Sequence, residues 1–182
     1  MVGAGKVAEG KIRGLIEASA SVEVVAPEAV WQIQKWAWEG AIGWKARTFH
    51  ATDLDQVSIV VAATSVPEVN AEIFQQARLR NVLCNSVDDP QNCDFYYPAV
   101  VNRGDLQIAI STSGRSPALA QRLRRELEAQ FGPEYESWVD ELGRERDLLN
   151  AHHLDAEARR KLLHEMASSE AFTARHSKRG EN

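Results

Sequence analysis

The spacing Gly3-Ala4-Gly5-Lys6-Val7-Ala8, a Gly-x-Gly-x-x-Ala run opening directly into a helical pattern, constrains this chain more than any other feature. The first glycine permits a tight turn, the second lets backbone approach a pyrophosphate, and a small third residue seats the helix close to its sheet. Val7, Ile12, Leu15 and Ile16 then fall toward one side of that helix. Its N-terminus offers unpaired N–H groups and partial positive charge to an anion. Residues 22–25 form a short β-branched run that stops at Ala26-Pro27 and reads as a strand. Glu28 follows, an acidic residue about where such folds hold the ribose hydroxyls, and it favours NAD over NADP. The competing reading of the glycines is a tight turn before a surface helix.

The rest of the first half keeps the same rhythm. Residues 30–39 read as a helix carrying Trp31, Trp36 and Trp38, residues expected in the core rather than in a ligand cage. Residues 44–49 suggest a strand and residues 52–54 a turn. Residues 58–64 form the most apolar run of the chain, with the continuous hydrophobicity of a parallel strand covered on both faces. A helix over 68–80 and a buried strand over 82–85 follow. Alternation of this kind predicts a parallel α/β sheet with right-handed crossovers. Only Met1 and Val2 precede the glycines, so the first strand is expected to be truncated and the sheet compromised.

Ligands of open α/β sheets bind beyond the carboxyl ends of the strands. That rule singles out Thr64, preceded by the small Ala62 and Ala63, and Asp88 in the run Asn85-Ser86-Val87-Asp88-Asp89-Pro90. Asp88 could face a nicotinamide or could belong to an ordinary turn; Asp89 reads as a turn residue.

After Pro98 the pattern changes to a strand over 106–111, an amphipathic helix over 117–130 and a charged, helix-rich remainder. The three expected regions are 1–98 for dinucleotide binding, 99–133 for dimerisation and substrate, and 134–182 for a helical tail whose last residues, 177–182, fray. Ser111, Thr112, Ser113, Gly114, Arg115 and Ser116 lie between strand and helix. Ser116 suits an N-cap with Pro117 at the first helical position. The same turn, with Arg115, could take a phosphate or a polycarboxylate.

Composition excludes several classes. The chain has 182 residues and a net charge of −5, which argues against nucleic-acid partners. No run approaches the roughly 18 apolar residues of a membrane span. Cys84 and Cys93 are too few for a disulfide scaffold or a zinc site, and His152, His153 and His164 lack matching ligand spacing, so no protein metal site is expected. With the glycines starting at residue 3 and no signal peptide ahead of them, the chain reads as cytoplasmic.

The strings VGAGKVAEGKI, VEVVAPE, VVAATSVPEVN and NSVDDPQNCDFYYPAVVNRGDLQIAISTSGRSPALAQRLRREL resemble the siroheme synthase N-terminal family, the precorrin-2 dehydrogenases, over about residues 2–130. The resemblance implies NAD-dependent oxidation of precorrin-2 to sirohydrochlorin, a polycarboxylate tetrapyrrole, and in some members insertion of ferrous iron, a lyase activity, at the same site. It further implies a homodimer. By motif position it assigns Lys6, Val7, Pro27 and Glu28 to the cofactor and Asp88 to catalysis. Thr112 stands where some relatives have serine. Arg115, Arg103 and a helix N-terminus suit the substrate's carboxylates, and Arg122 could extend that site. The alternatives are a non-catalytic NAD-binding or regulatory module and, on the Ser111–Ser116 turn, a sugar-phosphate site.

Overall fold

Residues 1–152 and 155–177 are described by the computed structural model; His153 and the polar end beyond residue 177 lie outside them. The chain divides into two units, Met1–Tyr96 and Tyr97–Asn182.

In the first unit β1 (Glu23–Val25) pairs parallel with β2 (Gly43–Lys45), and β3 (Ile59–Ala62) pairs parallel with β4 (Leu83–Ser86). Val2 joins the two pairs through parallel bridges to Val25 and Ala62. The sheet order is therefore β2, β1, Val2, β3, β4, and the expected break at its centre does not occur. Val2 donates to Val61 O at 2.9 Å and accepts from Ala63 N at 2.8 Å, while Gly3 N reaches Val25 O and Val25 N reaches Met1 O, both at 2.9 Å. Four backbone bonds suffice because Val2 itself is buried at 4% exposure, where unpaired amides would be costly.

Helices cover both faces. On one side α1 (Lys6–Glu17) and α2 (Trp31–Trp38) place Ala8, Ile12 and Ile33 against Val24 and Ala26. On the other, α3 (Pro67–Leu79) sets Ile73 and Ala77 against Val60, Ala62 and Cys84. Each fully buried Ile or Val contributes about 1.5–3 kcal/mol. The tryptophan expectation needs correcting. Trp36 packs on the core, but Trp31 and Trp38 are 69% and 88% exposed. They lie two helical turns apart and so share a face, and Ile33 takes the opposite one.

In the second unit β5 (Ala99–Arg103) and β6 (Leu106–Ile110) form an antiparallel hairpin. Its loop is Gly104-Asp105, with Gly104 at φ +56°, a conformation glycine adopts without penalty. The packed helix α4 (Pro117–Gln130) lies on the hairpin, followed by α5 (Glu134–Ala151), α6 (Ala156–Met166) and α7 (Ser169–Ser177). Tyr135 stacks on Phe172 at 4.4 Å, with Trp138 and Phe131 edge-on beside them. Arg175 pairs with Glu141. Among the described residues no helix is long and apolar enough to cross a membrane.

Candidate cofactor site

Because the strands run parallel, the turn after Val2, the β1–α2 turn and the β3–α3 loop emerge at one end of the sheet. There they enclose a cavity of about 680 Å³. Its wall gathers Gly3, Gly5, Pro27, Glu28 and Thr64, five residues singled out from sequence, together with Phe49 from the segment after β2. That volume lies in the range of small-molecule sites.

The two glycines serve different purposes. Gly3 has φ +98°, and a Cβ there would lie 2.4 Å from Ala63 O, so the β3–α3 loop closes on it and no side chain fits. Gly5, the N-cap of α1, has ordinary extended backbone, and a Cβ on it would meet nothing within 4 Å. No side chain caps it, and the first bond of the helix is Glu9 N to Gly5 O at 3.0 Å. The N–H groups of Lys6, Val7 and Ala8 precede that bond and point along the helix axis beside the open space. The arrangement fits a pyrophosphate: backbone donors, a helix dipole and room where a Cβ would otherwise stand.

Lys6 and Val7 do not line the cavity with their side chains. The Lys6 ammonium lies 2.8 Å from Glu9, which Arg13 also approaches at 3.4 Å, and Val7 is exposed. Glu28 is exposed on the cavity rim. Nearby, Asp53 receives both guanidinium nitrogens of Arg47 at 2.6 and 2.7 Å and His50 N at 2.9 Å. The Arg47 hydrogen bonds hold its carboxyl at a pKa of about 2, and the ion pair braces Thr48 and Phe49 against the cavity.

Asp88 stands beyond the carboxyl end of the edge strand β4, one strand out from Thr64, exposed and with φ +60°. It is not among the cavity-lining residues. Lys11 of α1 is its charged neighbour; burial lowers the Lys11 pKa, and Cys93 and Asp88 oppose that shift. Asp89 takes the turn role expected of it, accepting from Asn92 Nδ2 at 2.6 Å.

In the second unit the Ser111–Ser116 turn folds on itself. Ser113 N donates to Ser111 Oγ at 3.1 Å, Ser116 N to Thr112 Oγ1 at 3.0 Å, and Ser116 Oγ caps α4 by accepting from Leu119 N at 3.3 Å. Ser113 and Gly114 supply the two positive φ angles of the turn, and Arg115 is exposed. Arg103 differs from expectation. Its guanidinium donates to Phe131 O at 2.8 Å and Glu128 O at 3.1 Å, closing the C-terminus of α4 instead of awaiting an anion. Arg122 pairs with Glu126 one turn along the same helix.

Residues 1–99 match the family described as "Putative NAD(P)-binding", and residues 103–130 match the sirohaem biosynthesis protein central family. Siroheme synthase 1 of Aeromonas hydrophila is 41% identical over 129 residues, 71% of this chain and 28% of the relative. Siroheme synthase of Actinobacillus pleuropneumoniae is 33% identical over 94% of this chain and 35% of its own length. The solved structure of SirC, a precorrin-2 dehydrogenase, superposes with a TM-score of 0.79 at 27% identity, covering 92% of this chain and 83% of that one. The chain belongs to the siroheme synthase N-terminal family. It spans about a third or less of the length of the siroheme synthases it matches. For this siroheme synthase N-terminal chain the first match covers the whole parallel sheet and its cavity, so a nicotinamide dinucleotide is the cofactor class. The second covers the end of β5, the hairpin loop, the hydroxyl-rich turn and α4.

Sequence reasoning missed Phe49, Val66, Val69 and Glu72 of the cavity wall. The available signal was positional, since the first turns of α3 must flank any ligand that touches Thr64.

Proposed function

We propose that this chain uses NAD to oxidise precorrin-2 to sirohydrochlorin on the way to siroheme, in the cytoplasm. The observation that carries the reading is the cavity where Gly3, Gly5, Pro27, Glu28 and Thr64 converge on an uncapped helix start. Likeness to SirC, named a precorrin-2 dehydrogenase, supports the substrate.

The backbone N–H groups of Lys6, Val7 and Ala8 would hold the pyrophosphate. Glu28 would accept hydrogen bonds from the ribose hydroxyls and repel a 2′-phosphate, which selects NAD over NADP. When bound, the nicotinamide supplies a hydride acceptor. Oxidation of the macrocycle releases one hydride and one proton, giving sirohydrochlorin, NADH and H⁺. The Asp88 carboxylate takes that proton as general base. Arg115 and the start of α4 would receive substrate carboxylates. Ferrous iron would be a second substrate, its insertion displacing two pyrrole N–H protons that Asp88 would accept one at a time and pass to solvent.

A homodimer is part of the proposal. Among the described residues of the second unit, Val101 and Ala120 alone are buried apolar side chains. So thin a core needs covering by a partner surface. Sedimentation should show a dimer at micromolar concentration, and a monomer there would contradict it.

One observation favours a second reading, a non-catalytic dinucleotide-binding module: Asp88 is outside the cavity wall. Anaerobic incubation with precorrin-2 and NAD separates the two. The dehydrogenase yields NADH and sirohydrochlorin in equal amounts, and Asp88→Ala binds NAD but loses turnover. Binding without any turnover by the unmodified chain would leave the module.

A further inference from the structure

Thr64 has every polar group engaged. Its N–H donates to Asn70 Oδ1 at 3.2 Å, its Oγ1 lies 2.7 Å from the same oxygen, and its carbonyl accepts from Asn70 Nδ2 at 3.1 Å. Oγ1 also lies 3.1 Å from Val66 O and accepts from Val66 N at 3.2 Å. Asn70, on the first turn of α3, is 7% exposed and does not line the cavity. Thr64 and Val66 do. Ala63, between β3 and Thr64, makes the close approach to Gly3.

A buried asparagine that satisfies three groups of one loop residue fixes that loop's backbone, because each broken bond would leave a polar atom of the buried Asn70 amide unsatisfied. The loop cannot drift outward without breaking this set, nor inward without colliding with Gly3. We infer that Asn70 is a positioning residue for the cofactor, holding the β3–α3 loop through Thr64 as a preformed wall of the cavity. It follows that Thr64 meets the dinucleotide by shape and not by a hydrogen bond of its own N–H. A preformed wall spares the ligand the cost of ordering the loop.

This rests on the cofactor reading above, and the test separates the two. NAD is titrated calorimetrically into the full chain, into Asn70→Ala, into Asn70→Asp and into Ile73→Val. Asp keeps the acceptor oxygen but loses the donor to Thr64 O. Ile73→Val removes one methylene from a buried site on the same helix, so it lowers Tm without touching the loop. Both Asn70 variants should raise the Kd for NAD about tenfold or more, and Ile73→Val should leave it within twofold. Should Asn70→Ala not fold, Asn70→Asp decides. Unchanged Kd in a folded Asn70 variant, or an equal rise in Ile73→Val, would overturn the positioning role alone. Absence of NAD binding by the unmodified chain would overturn the cofactor reading and this inference with it.

Discussion

Gly3 and Gly5 carry the separate duties that the motif gives them, and the structure shows what constrains each. At Gly3 the constraint is internal: φ +98° and a Cβ contact of 2.4 Å against backbone leave no relief. Gly3→Ala should therefore cost roughly 2 kcal/mol or more of stability, since both strain and overpacking act; a Tm equal to that of the unmodified chain would contradict this. Asp53 offers a pH test at the same scale. Its pKa is held at about 2, chiefly by the Arg47 hydrogen bonds. A depressed carboxyl stabilises the fold above its unfolded pKa, and that contribution is lost as pH falls through the folded value. Denaturant midpoints of the unmodified chain should fall between about pH 4 and 2, and Asp53→Asn should show a weaker fall over that window. Arg103 shows what residue type alone does not tell. A guanidinium suits a carboxylate or a helix C-terminus equally well, and here the carbonyls of α4 claim it.

Among elements, those with long periodic patterns were legible. The helices α1, α3 and α4, and the strands β3 and β4, lie where hydrophobic spacing puts them, within a residue or two. β5 escaped notice. Ala99-Val100-Val101-Asn102-Arg103 carries only two β-branched residues, and its strand character comes from pairing across the Gly104-Asp105 loop with β6. The strand that the pattern suggests over residues 44–49 is shorter in the structure. The strand β2 stops at Lys45, where Arg47 turns away to meet Asp53. At the central strand, length is no measure of pairing: Val2 bonds the β3 side with its own N–H and carbonyl, while Met1 O and Gly3 N on either side of it bond Val25 of β1. At the start of α4 the Ser116 hydroxyl accepts from Leu119 N. Ser116→Ala should lower stability by about 1 kcal/mol, read as a shift in the denaturation midpoint at constant slope; no shift would mean the cap contributes nothing.

At the scale of the whole molecule, the residue pattern changes near Pro98 and the chain divides into two units at Tyr96–Tyr97. Within the second unit α5 packs on β5 and β6. The cavity was legible in outline because a parallel sheet brings all its carboxyl ends to one edge, whatever the loop sequences. Its depth was not, since Phe49 and Val69 reach it only through tertiary packing. Every proposed role of this unit depends on a dinucleotide held at the start of α1, and Gly5 gives the most direct access to it. A Cβ at Gly5 would meet nothing within 4 Å in the protein itself and would intrude only on what binds there. A thermal melt of Gly5→Val should find Tm within a few degrees of the unmodified chain, the cost of a poorer N-cap, and calorimetric titration of NAD should find Kd raised about tenfold or more. NAD binding as tight in Gly5→Val as in the unmodified chain would contradict the account.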